Sequence, residues 1–154
     1  MPIESAVRQF LLASTAVTDL VGVRIYPVTL PRAPEYPAVR YAVISKVRDV
    51  AFGGYTGLCM ARVQVDIFSP QYDQAKAIMD AMRKRLCGDP DSADPAVKLP
   101  WPAAIGSPAV DVQGIFVDGE DDGYEGADDG FDAGGKQPVE VYSTSADFLI
   151  WHKG

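Results

Sequence analysis

The sequence predicts an α+β domain: a mostly antiparallel sheet of about five strands with two helices packed on one face. Three observations carry that prediction. Cys59, Ala61, Val63, Val65 and Ile67 alternate with Arg62, Gln64 and Asp66, the period of a half-buried antiparallel strand. Ile3, Ala6, Val7, Phe10 and Leu11, and later Ala75, Ile78, Met79, Met82 and Leu86, recur at helical spacing. Gly53, Gly54 and Gly57 separate two β-rich runs and make them a long hairpin.

Taken in order, the elements read α-β-β-β-α-β-β. Pro2 suits the first turn of the first helix, where a missing N–H costs nothing. That helix yields near Ser14, and Val17 to Val21 makes a further short helical turn before Gly22. Val23 to Leu30 reads as a short strand that Pro27 confines to an edge. Pro31, Pro34 and Pro37 punctuate a loop before the strand Ala38–Val50, which carries Val39, Tyr41 and Val43 on one side and Arg40 on the other, with Lys46 and Arg48 further along. Ser69 or Asp73 is expected to cap the second helix, which Gly88 ends. Arg83, Lys84 and Arg85 crowd its last turn, where they complement the helix dipole rather than mark a phosphate site. A proline-rich loop over 88–109 presents Trp101 between Pro100 and Pro102, either folded over a core edge or offered to a partner. The strand Val110–Val117 then runs into an acidic, glycine-rich loop over 118–136, and Pro138–Trp151 is the last strand.

At 154 residues the chain reads as a single domain, 1–154, with no internal repeat. Its net charge of −7 is concentrated in one place. Residues 118–132 hold Asp118, Glu120, Asp121, Asp122, Glu125, Asp128, Asp129 and Asp132 with no Lys or Arg, so the rest sums to −7 + 8 = +1. No basic patch for nucleic-acid phosphates stands out. Cys59 and Cys87 lie in unrelated contexts and read as buried free thiols of a reducing compartment. The run Phe10–Val17 lacks a basic flank and a cleavage site, which argues against an export signal, and no apolar stretch approaches the roughly 20 residues of a membrane span.

The acidic segment invites a calcium reading. Asp118, Glu120, Asp122 and Gly123 fall in the register of an EF-hand loop, but its twelfth position is Asp129 rather than Glu. Its flanks are strand-like where that loop needs helices, so no metal and no cofactor is expected. Catalytic constellations fail similarly. His152 is the single histidine, which leaves neither a nucleophile relay nor a zinc set. Gly53–Gly57 joins two strands instead of opening a helix, and Gly134, Gly135 and Lys136 lack the upstream glycine of a phosphate loop. Carboxylates on a glycine-rich loop do not have the rigid placement that a glycosidase pair requires. No enzyme is expected. What remains for the acidic segment is a solvated loop or a charged surface meant for a partner.

Several ordered phrases now coincide: VGVRIYPVTLPRAPEYPAVRY (Val21–Tyr41), ARVQVDIFSPQYDQAKAIMDAMRKRL (Ala61–Leu86), VQGIFVDGEDDGYE (Val112–Glu125) and SADFLIWHKG (Ser145–Gly154). Over nearly the whole chain they resemble the tail terminator proteins, also called tail completion or tail-to-head joining proteins, of long-tailed bacteriophages, prophages and gene transfer agents. The segment 88–109 and the acidic extension past Glu125 are longer than that pattern. The resemblance implies a non-enzymatic virion protein, assembled in the host cytoplasm. It implies a hexameric ring on the last ring of the tail tube, which ends polymerisation and presents a surface to the head connector. DNA would pass through the lumen without sequence-specific binding, and no membrane is involved. In such a ring the eight carboxylates would face the lumen or a neighbouring ring and repel DNA, while Trp101, Tyr55 and Arg48 are the interface candidates. The alternatives are another neck or tail component of similar fold, such as a head-completion or tube-like protein, and a divalent-ion module.

Overall fold

Alternating hydrophobicity forms the sheet, and helical periodicity supplies its cover. The computed structural model describes residues 2–95, 104–105, 110–127 and 140–153. Helix α1 (Ile3–Leu12) buries the five apolar residues whose spacing predicts it. Ser14 leaves helical geometry with an extended backbone, and α2 (Thr15–Val21) follows as a separate element until Gly22, whose φ of 60° suits glycine. The expected two helices therefore become three. Strand β1 (Ile25–Pro27) is shorter than Val23–Leu30, because Pro27 offers no N–H to extend it. Beyond it Val28 turns to a φ of 64°, and its N–H donates to the Tyr41 carbonyl at 2.8 Å.

Strands β2 (Ala38–Ala51) and β3 (Gly54–Ser69) form one long hairpin closed by a two-residue turn, Phe52–Gly53. Helix α3 (Tyr72–Cys87) starts between the two expected caps, with Gln71 rather than Ser69 or Asp73 at its cap position. Ser69 does not cap it; its hydroxyl accepts the Gln71 N–H at 3.1 Å and donates to Gln74 Oε1 at 2.7 Å, while Asp73 sits inside the first turn. Gly88 ends the helix as predicted. Arg85 shows why the basic cluster is structural: its Nε donates to the Phe10 carbonyl at 3.0 Å and its guanidinium stacks 3.8 Å over the Phe10 ring.

A two-residue strand, β4 (Ala104–Ile105), precedes β5 (Val110–Ala127) and β6 (Glu140–Lys153). The sheet order is β1-β2-β3-β6-β5-β4, with β1 parallel to β2 and every other pair antiparallel. Ile25, Val39, Tyr41, Val63, Val65, Ile67, Ala146, Phe148 and Ile150 join the buried faces of all three helices in one core. Among the described residues the other face of the sheet carries no helix. Among the described residues no helix is long and apolar enough to cross a membrane.

The largest departure from the sequence reading is β5. The acidic segment was expected to leave the strand after Val117, yet pairing with β6 continues through Asp121–Ser145, Asp122–Thr144 and Tyr124–Tyr142 to Ala127. Glycines and carboxylates have poor strand propensity, but a partner strand overrides it. Register shifts near Gly114, Gly119 and Gly126 absorb extra residues along the way.

Candidate functional site

Two regions lie outside the core and carry the residues singled out by sequence. The first is the acidic half of β5. Alternation along that strand sorts its charges by side, and each side supplies cations. On the helix-covered side, Asp122 accepts from Thr144 Oγ1 at 2.6 Å, from the Tyr72 hydroxyl at 2.7 Å and from Lys76 Nζ at 3.1 Å. Those bonds, Thr144 first, hold its carboxyl down at about 2, and Asp122 in turn raises the Tyr72 hydroxyl and the Lys76 ammonium above their usual ranges. Glu120, on the same side, lies 3.7 Å from Arg83, which also pairs with Asp80. On the uncovered side, Arg62 bridges Asp118 at 2.7 Å and Asp147 at 3.1 Å. At the start of the strand Lys153 approaches Asp111 at 3.6 Å.

Asp118, Glu120, Asp121 and Asp122 therefore belong to a regular strand, and three of those four have a cation within 4 Å. This corrects the expectation of a solvated loop over that stretch. Glu125 also lies in β5, while Asp128, Asp129 and Asp132 lie outside the described residues, as does Trp101. Sequence reasoning missed the counterions because Arg62, Lys76 and Arg83 stand 35 residues or more away from their partners in the chain. Their helical and strand phases were readable; the pairing with β5 was not. Among the described residues no cluster of three or more His, Cys, Asp or Glu could hold a metal ion.

The second region is the outer half of the β2–β3 hairpin. The last row that β6 supports is Leu58–Lys153, and the hairpin continues past it as a two-stranded arm. From Ile44 to Ala51 every residue of β2 is exposed. Ile44, Val47, Val50 and Tyr55 are all open to solvent, and Phe52 at the tip is fully exposed. Tyr55 and Arg48 are brought together here, with the guanidinium 5.2 Å over the ring. At the root of the arm Lys46 pairs with Glu4 of α1 at 3.3 Å. On the uncovered face the row Val47–Met60–Trp151 and its neighbours Leu149 and Phe116 form an apolar strip. The Phe116 ring comes within 3.0 Å of where a Cβ on Gly114 would stand.

Further along that face the chemistry changes to a polar network. Asp66 is buried, and it accepts from Arg40 Nε and Nη2 at 3.0 and 2.7 Å, from Gln64 at 3.2 Å and from Ser145 at 2.6 Å. Arg40 also lies 5.2 Å over the Phe68 ring. The two cysteines are free; Cys59 is buried, and burial pushes the half-buried Cys87 thiol up to about 11, the opposite of an activated nucleophile. His152 is buried with its Nε2 unpartnered, and burial, the largest influence, lowers its pKa. A cleft of about 640 Å³ opens where α2 meets α3, but its Asp80 and Lys84 are paired with each other at 3.1 Å. None of these arrangements assembles a reacting centre. What the described surface offers is an apolar arm, an acidic strand and uncovered sheet edges.

Comparison with known proteins fits an assembly surface. A family model described as "Tail completion protein gp17" matches residues 5–129. Among solved structures, a chain from the "Virion of native gene transfer agent (GTA) particle" superposes with a TM-score of 0.67 at 15% identity, covering 99% of this chain and 95% of that one. At that identity the likeness concerns the fold alone. Comparison with curated protein sequences finds no match.

Proposed function

The chain belongs to the tail completion protein gp17 family, a structural protein of a virion tail, and from that premise we propose that it closes the tail tube as a hexameric ring. The ring sits on the last ring of tube subunits, stops further addition and offers its far face to the head connector or a head-completion protein. The action is steric and needs no catalysis or cofactor. DNA passes through the lumen without sequence-specific contacts.

The observation that carries this reading is the arm. Exposed apolar side chains on a two-stranded projection are unfavourable in water and are expected to be covered by another chain. The arm projects past the end of β6, and a protruding element that fits a different surface of its neighbour makes a heterologous contact, the kind that closes into cyclic rings. The acidic strand supports a lumen role more weakly, because most of its described carboxylates already face internal cations. Electron microscopy of particles made without the gene tests the reading. Over-long tails detached from heads are expected, and tails of normal length joined to heads would overturn it.

A further inference from the structure

We propose that neighbouring copies join edge to edge, the outer edge of β2 in one copy pairing antiparallel with the outer edge of acidic β5 in the next. This rests on the ring reading above and names the surfaces that would build it.

Three observations support it. Among the described residues both strands have open edges: β1 covers only Val39 to Tyr41 of β2, leaving Ala42–Ala51, and β4 covers only Val110 and Asp111 of β5. These edges lie on opposite sides of one sheet, and within the subunit β2 and β5 run antiparallel to each other through β3 and β6. A second copy displaced in the plane of the sheet therefore meets β5 with a β2 strand of the right direction, and the helices stay on one side of the continued sheet. An open edge is a template for such pairing.

The charges of the two edges are complementary, and on the same face. Residues 110–127 carry Asp111, Asp118, Glu120, Asp121, Asp122 and Glu125 and no cation, a sum of −6. Residues 38–51 carry Arg40, Lys46 and Arg48 against Asp49, a sum of +3 − 1 = +2. Lys46 and Arg48 pair in register with Ala61 and Cys59, and so share the helix-covered side with them. Glu120 and Asp122, opposite Ala146 and Thr144, lie on that side of β5. Across an antiparallel junction in which the second copy is offset along the strands by six rows of β6, Lys46 comes beside Asp122 and Arg48 beside Glu120.

Zero-length carbodiimide cross-linking of a mixture of ¹⁴N- and ¹⁵N-labelled chains, in solution rings or on tail ends, tests this directly. The expected product joins Lys46 of one isotope to a β5 carboxylate of the other. Within one chain Lys46 is level with Ile115, so Glu120 and Asp122 lie three strands and four to six rows away, roughly 20–25 Å, beyond a zero-length link. Inter-copy links that leave out Lys46 and β5 would overturn the proposal.

Two variants then separate the edges. Replacing residues 49–56 with an Asn-Gly turn removes the outer arm, and Glu120→Lys puts a cation on the helix-covered side of the β5 edge, where Lys46 and Arg48 would face it. Each alone is expected to raise the concentration needed for assembly by at least about tenfold, the scale of one close charge pair. Mixed together, they still have one good edge of each kind and should give a two-chain species and no ring. Rings from either variant at wild-type concentrations, or a mixture that stays monomeric, would sink the edge pairing. If the wild-type chain forms no ring in solution or on tail ends, the ring reading itself falls, and the edge pairing with it.

Discussion

The inner and outer halves of the β2–β3 hairpin are built from the same two strands and similar residues, yet they do opposite work. In the inner half Val39, Tyr41, Val63, Val65 and Ile67 sit under the helices and are buried. In the outer half Ile44, Val47 and Val50 are equally apolar and β-branched, and all are exposed. Composition does not distinguish the halves; what lies beneath them does. The inner half stabilises the fold, and in the proposed ring the outer half would stabilise the contact between copies.

That contrast can be broken or sharpened by experiment. The largest effect is expected from Ile67→Ala in the inner half, about 2–5 kcal/mol lost in chemical denaturation, because a fully buried branched side chain leaves a cavity. A loss below about 1 kcal/mol would put Ile67 outside the core. Asp66→Ala, one residue earlier but on the uncovered face, should cost about 1–3 kcal/mol by the same measurement, since Arg40, Gln64 and Ser145 lose a shared acceptor. An unchanged denaturation midpoint would show the network to be ornamental to stability.

Beside the inner half, Val28→Gly should gain about 0.5–1 kcal/mol, because a β-branched residue at a φ of 64° is strained where glycine is not. A lower melting temperature would contradict that strain. For β5 the test is pH. Asp122 has its folded-state pKa depressed from 3.8 to about 2, so its contribution is present above 3.8 and fades as pH falls toward 2. Asp122→Asn should flatten the stability profile in that window only, and an unchanged profile would deny the carboxylate its role. The smallest effect belongs to the arm: Phe52→Ser should change monomer stability by no more than about 0.5 kcal/mol. A larger loss would mean that the arm folds back on its own subunit.

The sequence revealed most of the fold where one residue type faced one environment. The alternation from Cys59 to Ile67 and the helical faces of α1 and α3 were readable because burial leaves a period. The family resemblance, stated from ordered phrases, agrees with the family match over residues 5–129. Reading failed at β5, where Asp118–Ala127 looks like a loop by propensity. That segment is a strand because β6 pairs with it and because Arg62, Lys76 and Arg83 arrive from elsewhere in the chain. Tyr55 and Arg48 were chosen separately as interface candidates, and the structure stacks them on one arm. Their contact follows from the turn at Phe52–Gly53 and could not be read from either residue alone.

The position of β6 has a consequence for how the chain reaches this state. It follows all the other strands in the chain, yet it lies in the middle of the sheet, between β3 and β5. Before it emerges during synthesis, the β2–β3 hairpin and the β4–β5 pair have no common partner, and both inner edges stand open. The sheet can close only when Glu140–Lys153 inserts between them, pairing residues as far apart as Leu58 and Lys153. Such long-range closure is slow relative to hairpin formation. The nascent chain therefore passes through a stage in which the open edges of β3 and β5 are those that end up hidden in the finished sheet.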